Sequence, residues 1–350
     1  MVLMRAILQT LRDVTLGRGT EPLSLPVDWS AEDWRRFVDC ARHHRVAPLL
    51  AHQIQRGALP SPPDLVGDLL QKELHATRLR HGAAQRALHE ISEVFGRHGL
   101  PHVWLKGPPL ANEAYDTPGL RAFDDLDLLI ESDDAHAAGR ALEKLGYAPV
   151  PKALPPWLVR RYHFHSQWTH GQTRQIVELH WRPSDAGALP RTRPPVSYLR
   201  DLTDIPAAMP VYLAVHLAKH AVARPLFTRY RPNPLLALHP WSGIRLIWLT
   251  DFQGLCTARG LSSTELANVA ERWRCRAALE FTDYLLGTTS GGDTISLPRF
   301  SIHASLLRRF EKDLNEEMLP ARAPWWLNAH PRTGFRPIRL LDPLLPEATR

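Results

Sequence analysis

Cysteine is scarce in this 350-residue chain: Cys40, Cys256 and Cys275 stand far apart and odd in number. That excludes a disulfide framework and a clustered zinc knuckle, and makes a reducing cytoplasm the simplest compartment. No apolar run approaches the roughly 20 residues of a membrane-spanning helix. The opening stretch, Met1 to Leu8, is too short and too soon charged, at Arg5, for a secretory signal, and reads as an amphipathic helix. The arginines are scattered, with no basic stripe interleaved with aromatics, so nucleic acid is a poor candidate partner. Internal repeats are absent. So is any doubly wound βαβ unit in the N-terminal third.

What is present is ordinary globular composition, 44% hydrophobic and 23% charged, at a length that allows two or three domains. A net charge of +7 fits an anionic ligand such as a nucleotide, and fits equally a solvated, Arg-rich surface.

The pattern predicts an α+β fold: a small mixed β-sheet core flanked by N-terminal and C-terminal helical regions. Residues 1–99 read as helical. Ser30 is a candidate N-cap for a helix carrying Trp34, Phe37 and Val38. Leu88, Ile91 and Phe95 mark a later helix stopped by Gly99, with Pro60, Pro62 and Pro63 separating the two stretches.

Residues 100–195 read as an α/β core. Strands are expected at His102 to Leu105, Asp125 to Ile130, His163 to Thr169 and Gln175 to Trp181, with a hairpin turn over His170 to Thr173. Helices are expected after Gly107 and from Ser132 to Leu145. Residues 196–318 return to helix, over Pro210 to Ala223, Trp241 to Ala258, Ser263 to Arg274 and Ala277 to Leu286. An Arg/Pro-rich loop, Arg224 to Pro240, interrupts them and offers Arg224, Arg229 and Arg231 to an anionic acceptor or to solvent. Residues 319–350 form a Pro/Arg-rich tail expected to be irregular.

The chemistry-bearing stretch is Trp104-Leu105-Lys106-Gly107 followed by Asp125-Leu126-Asp127-Leu128-Leu129-Ile130. On a strand, alternate side chains share a face. Asp125 and Asp127 therefore point one way, and Leu126, Leu128 and Ile130 the other. Two adjacent carboxylates repel, and oxygen-only ligands relieve that with a hard cation such as Mg²⁺. The stretch Ile176-Val177-Glu178-Leu179-His180-Trp181 supplies a third acid if its strand lies beside the first. A surface acid on an edge strand is the plainer reading of Glu178.

As a set, Leu105-Lys106-Gly107, Arg121, Asp125-x-Asp127 and Glu178-x-His180-Trp181 resemble the uncharacterised bacterial nucleotidyltransferase family, of the DNA polymerase β-like nucleotidyltransferase superfamily. His44 to Leu50, Leu213 to His220 and Arg245 to Asp251 share the resemblance, which spans roughly residues 30–260. It implies a metal site of Asp125, Asp127 and Glu178, with Gly107 at the start of a phosphate-binding helix. Pro108 stands where many relatives carry serine. Lys106 is then the candidate replacement for that donor. The long gap from Gly107 to Asp125 leaves Asn112, Tyr115 and Arg121 to line a nucleotide pocket. Arg121 is a candidate phosphate clamp or the partner of Asp124 or Asp125. His180, His216, His220 and Arg245 are candidate substrate contacts, with packing as the alternative for the histidines.

The expected reaction is Mg²⁺- or Mn²⁺-dependent transfer of a nucleoside monophosphate from an NTP. The acceptor is a hydroxyl or phosphate outside nucleic acid, a modified peptide or glycan by analogy. Two alternatives use the same residues: glycosyl transfer from a nucleotide sugar, and a non-catalytic nucleotide-binding or antitoxin-like module. A monomer or weak dimer is expected.

Overall fold

A computed structural model describes residues 29–151, 164–182, 197–223 and 245–287, together with Leu11 and Thr15. The helix expected from Met1, the Arg224 to Pro240 loop and the tail lie outside the described residues.

Three helices open the described chain: α1 (Ala31–His43), α2 (Ala47–Gln55) and α3 (Asp64–Arg97). Ser30 caps α1 in a reciprocal box with Asp33. At the other end of this region, α3 stops where Gly99 takes φ +63°. The Leu100 amide there donates to Phe95 O at 2.9 Å, closing the last turn in a glycine-capped motif.

The core follows as β1 (His102–Trp104), α4 (Pro108–Ala114), β2 (Asp125–Ile130), α5 (Ala135–Lys144), β3 (Tyr147–Pro149), β4 (His165–His170) and β5 (Ile176–His180). Helices α6 (Tyr198–Asp204), α7 (Ala208–Ala223), α8 (Leu246–Ala258), α9 (Ser263–Arg272) and α10 (Arg276–Gly287) complete it.

The strands form one mixed sheet in the order β1-β2-β5-β4-β3. Strands β2 and β5 run parallel; the other three pairings are antiparallel. Leu126, Leu128 and Ile130 of β2 pack with Val177 and Leu179 of β5 under α5 and the second half of α3, through Leu88, Ile91 and Phe95. Leu105 and Leu129 instead join a second core with the first half of α3 and the flanking helices, from Trp34 to Leu286. Helix α3, 34 residues and so about 50 Å long, serves both cores.

Two local expectations shift. Ser132–Asp134 forms a 3₁₀ turn, so α5 begins at Ala135. Strand β3 and helix α6 carry too few periodic residues to announce themselves. At 3 residues, β3 is an edge strand whose Pro149 is tolerated there.

Candidate active site

The parallel register of β2 and β5 sets Asp127 beside Glu178 and Asp125 beside Ile176. Antiparallel β4 adds His165 opposite His180 and Gln167 opposite Glu178. By alternation, Asp125, Asp127, Glu178, His180 and His165 therefore share one sheet face. The opposite face is the leucine core.

Asp127, 1% exposed, is the hub. Lys106 Nζ lies 3.1 Å from its Oδ1. His180 Nε2 donates to the same oxygen at 3.1 Å and sits 3.4 Å from Glu178 Oε2. His165 Nε2 is 3.8 Å from Glu178 Oε1. Burial alone would raise the Asp127 carboxyl, but the Lys106 ammonium and the His180 hydrogen bond outweigh it and hold it well below the usual carboxylate range. Asp125 goes the other way. Burial, with Asp127 and Glu178 nearby, pushes it up to about 6 against the pull of Lys106. Asp125, Asp127 and Glu178 share a face and a field whose repulsion a divalent cation would relieve; among the described residues, the group with one ligand atom from each member within 4.8 Å of the others is His165, Glu178 and His180.

The turn before α4 is shaped by Gly107, at φ +80° and ψ −143°, a backbone reserved for glycine. Pro108 and Pro109 then fill the first two helical positions. Of the four amides that a helix start leaves unbonded, two do not exist here. An anion at this turn would meet the two remaining amides and the Lys106 ammonium.

Three residues expected in the nucleotide pocket have other partners. Arg121, 3% exposed, is not turned to Asp124 or Asp125. Its Nε and Nη2 donate to Asp251 at 2.9 and 2.7 Å. Tyr115 Oη donates to the same carboxylate at 2.6 Å. Arg121 and Tyr115 thus form a buried tie between the sheet region and α8. Asn112 is exposed and accepts from Gln85 Nε2 of α3 at 3.1 Å.

Three residues in the site, His165, Arg45 and Tyr212, were not singled out from sequence. Arg45, in the turn between α1 and α2, pairs with Asp124. Its guanidinium also interacts electrostatically with Asp125 and Asp127. It sits at φ +59°, a left-handed backbone that is uncommon for a long side chain. The Tyr212 phenol of α7, 1% exposed, lies in the field of Lys106, Asp127, Glu178 and Asp125. In the sequence it is hidden within an apolar helical run.

His216 and His220 stack one turn apart at 4.5 Å between centroids, both against Trp248 of α8 at 4.8 and 4.7 Å. Arg245 lies 5.8 Å over that indole. This stack joins the acid cluster through Tyr212, whose ring is 6.1 Å from His216. No third His, Cys, Asp or Glu with metal-ligand spacing joins the pair among the described residues.

No helix among the described residues is long and apolar enough to cross a membrane. No curated protein and no solved structure matches the chain. A family model described as uncharacterised nucleotidyltransferase matches residues 30–289, and the chain belongs to this family of enzymes that transfer phosphorus-containing groups.

Proposed function

We propose that the protein moves a nucleoside monophosphate from an NTP to a hydroxyl or phosphate of an acceptor other than nucleic acid, with Mg²⁺ or Mn²⁺. The acceptor oxygen bonds to the α-phosphorus, the bond from that phosphorus to the bridging oxygen of the β-phosphate breaks, and pyrophosphate leaves. The observation that carries the reading is the convergence of Asp125, Asp127 and Glu178 on one sheet face beside two cations.

Asp125, Asp127 and Glu178 would hold the cation, which when bound would supply charge neutralisation at the phosphates and a lowered pKa for the attacking hydroxyl. Lys106 carries three N–H donors, and one meets Asp127. It holds the triphosphate together with Arg45, which takes the part the sequence suggested for Arg121. Arg45 brings a planar fork suited to two phosphate oxygens. Asp251 fixes Arg121 and Tyr115, and through them the segment that leads into β2. Most of the rate comes from this positioning and charge neutralisation.

The stack of His216, His220, Trp248 and Arg245 lines the acceptor side, where a modified peptide or glycan hydroxyl would approach. The enzyme works as a monomer or weak dimer in a reducing cytoplasm. Burial pushes the Cys40, Cys256 and Cys275 thiols up to about 12, so they stay protonated and unreactive there.

The test is a thermal-shift screen of the four NTPs and common nucleotide sugars, each with Mg²⁺ or Mn²⁺. An NTP should stabilise the protein only with the cation, and Asp125→Asn plus Asp127→Asn should remove the effect. Stabilisation by a nucleotide sugar alone would overturn the reading.

A further inference from the structure

The carboxylates do not explain the two imidazoles on the same face. A site for Mg²⁺ alone needs only oxygen ligands and water. Yet His165 and His180 face each other across β4 and β5, with ring centroids 5.1 Å apart. One ligand atom from each of His165, Glu178 and His180 falls within 4.8 Å of the other two. Two ligands of one ion with bonds of about 2.1 Å stand about 3–4 Å apart. The Glu178 oxygens lie 3.4 and 3.8 Å from the two imidazole nitrogens, inside that range.

These distances arise without a designed loop. Pleat alternation puts His180 two residues from Glu178 on β5, and the antiparallel register delivers His165 from β4. His180 is 3% exposed, so its ring is held by packing rather than free in solvent.

We propose that His165, His180 and Glu178 form a mixed nitrogen–oxygen position that takes a first-row divalent cation such as Mn²⁺ or Co²⁺ in preference to Mg²⁺. It lies beside the all-carboxylate position of Asp125 and Asp127. Imidazole favours first-row ions over Mg²⁺, least for Mn²⁺ and more for Co²⁺, whereas carboxylate and water suit Mg²⁺ and Mn²⁺ alike. The inference rests on the nucleotidyl-transfer reading in that Glu178 serves both positions, and in it the ion displaces the proton that His180 Nε2 otherwise donates to Asp127.

The experiment loads the full-length, metal-free protein with Mn²⁺ and records pulsed electron paramagnetic resonance for nitrogen coupled to the ion. Mn²⁺ and Mg²⁺ affinities are measured in parallel by calorimetry. Wild type should show imidazole nitrogen coupling. His165→Gln should lose part of it and weaken Mn²⁺ by about tenfold, with Mg²⁺ changed by less than about twofold. Absence of nitrogen coupling in wild type, which needs no variant to fold, would overturn the inference. So would a spectrum indifferent to His165→Gln. NTP turnover with Mg²⁺ is scored separately: if it persists without nitrogen coupling, only the mixed site falls. If coupling is present and no metal supports turnover, the mixed site stands and the nucleotidyl-transfer reading falls.

Discussion

Asp125 and Asp127 sit two residues apart on one strand face and are held in opposite electrostatic states. Asp127 is held down by Lys106 and by the His180 hydrogen bond, whereas Asp125 is pushed up by burial and its acidic neighbours. The asymmetry follows from Lys106 and His180 contacting Asp127 directly while acting on Asp125 only at longer range or not at all. Replacing Glu178 by Gln keeps the shape and removes one charge. Metal-dependent transfer should then fall by at least about a hundredfold while the protein stays folded; near-normal turnover would remove Glu178 from the site. Arg45→Gln should raise KM for the NTP about tenfold or more with kcat little changed, as for loss of a hydrogen bond to a charged group. Steady-state kinetics checks this, and an unaltered KM would return Arg45 to a surface pair with Asp124. That Asp125 and Asp127 share a face was legible because strand alternation is a local rule, and Glu178 joins them through the β2–β5 register. Arg45 and His165 were not legible, because their places depend on a left-handed turn and a strand register that no short window of sequence encodes.

At the scale of elements, α4 and α8 approach so closely that a Cβ on Gly254 would lie 2.6 Å from Ala114 O. Gly254→Ala should cost about 1–3 kcal/mol through that clash with backbone. Gly96 of α3 faces open space with ordinary helical φ, so Gly96→Ala should stabilise by about 0.4–1 kcal/mol. Melting temperatures of the two variants should move in opposite directions; a shift of the same sign would contradict the packing. The tie between these regions is Asp251, fully buried and accepting from Tyr115 and from two Arg121 nitrogens. Asp251→Asn strands the Arg121 charge in the interior and should cost about 3–5 kcal/mol in urea unfolding; a loss below about 1 kcal/mol would contradict that burial. The sequence announced α8 by its apolar run and β2 by its alternation. It could not announce that Arg121 belongs to Asp251, because 130 residues separate the partners.

Across the whole molecule, one core gathers Trp34 and Phe37 from α1, Leu105 and Leu129 from the sheet region, and Leu213 and Trp273 from the C-terminal helices. A sheet whose site-bearing face is roofed by both flanks should not fold by itself. A piece covering residues 100–195 should show no cooperative thermal transition, whereas the full chain should unfold with coincident fluorescence and circular dichroism transitions. A folded isolated piece would mean the flanks are accessory. The α+β plan with helical flanks could be read from composition shifts along the chain. The way both flanks close over one sheet face rests on contacts between residues far apart in sequence. In the proposed function, the acid face transfers a nucleotide from an NTP. The most direct measurement follows NTP labelled at the α- or the γ-phosphorus, incubated with the enzyme, divalent metal and an extract containing acceptor. Nucleotidyl transfer should put α-label in the product and release γ-label as pyrophosphate, and Asp125→Asn plus Asp127→Asn should give neither. Incorporation of the γ-label, or α-label transfer undiminished in the double variant, would contradict it.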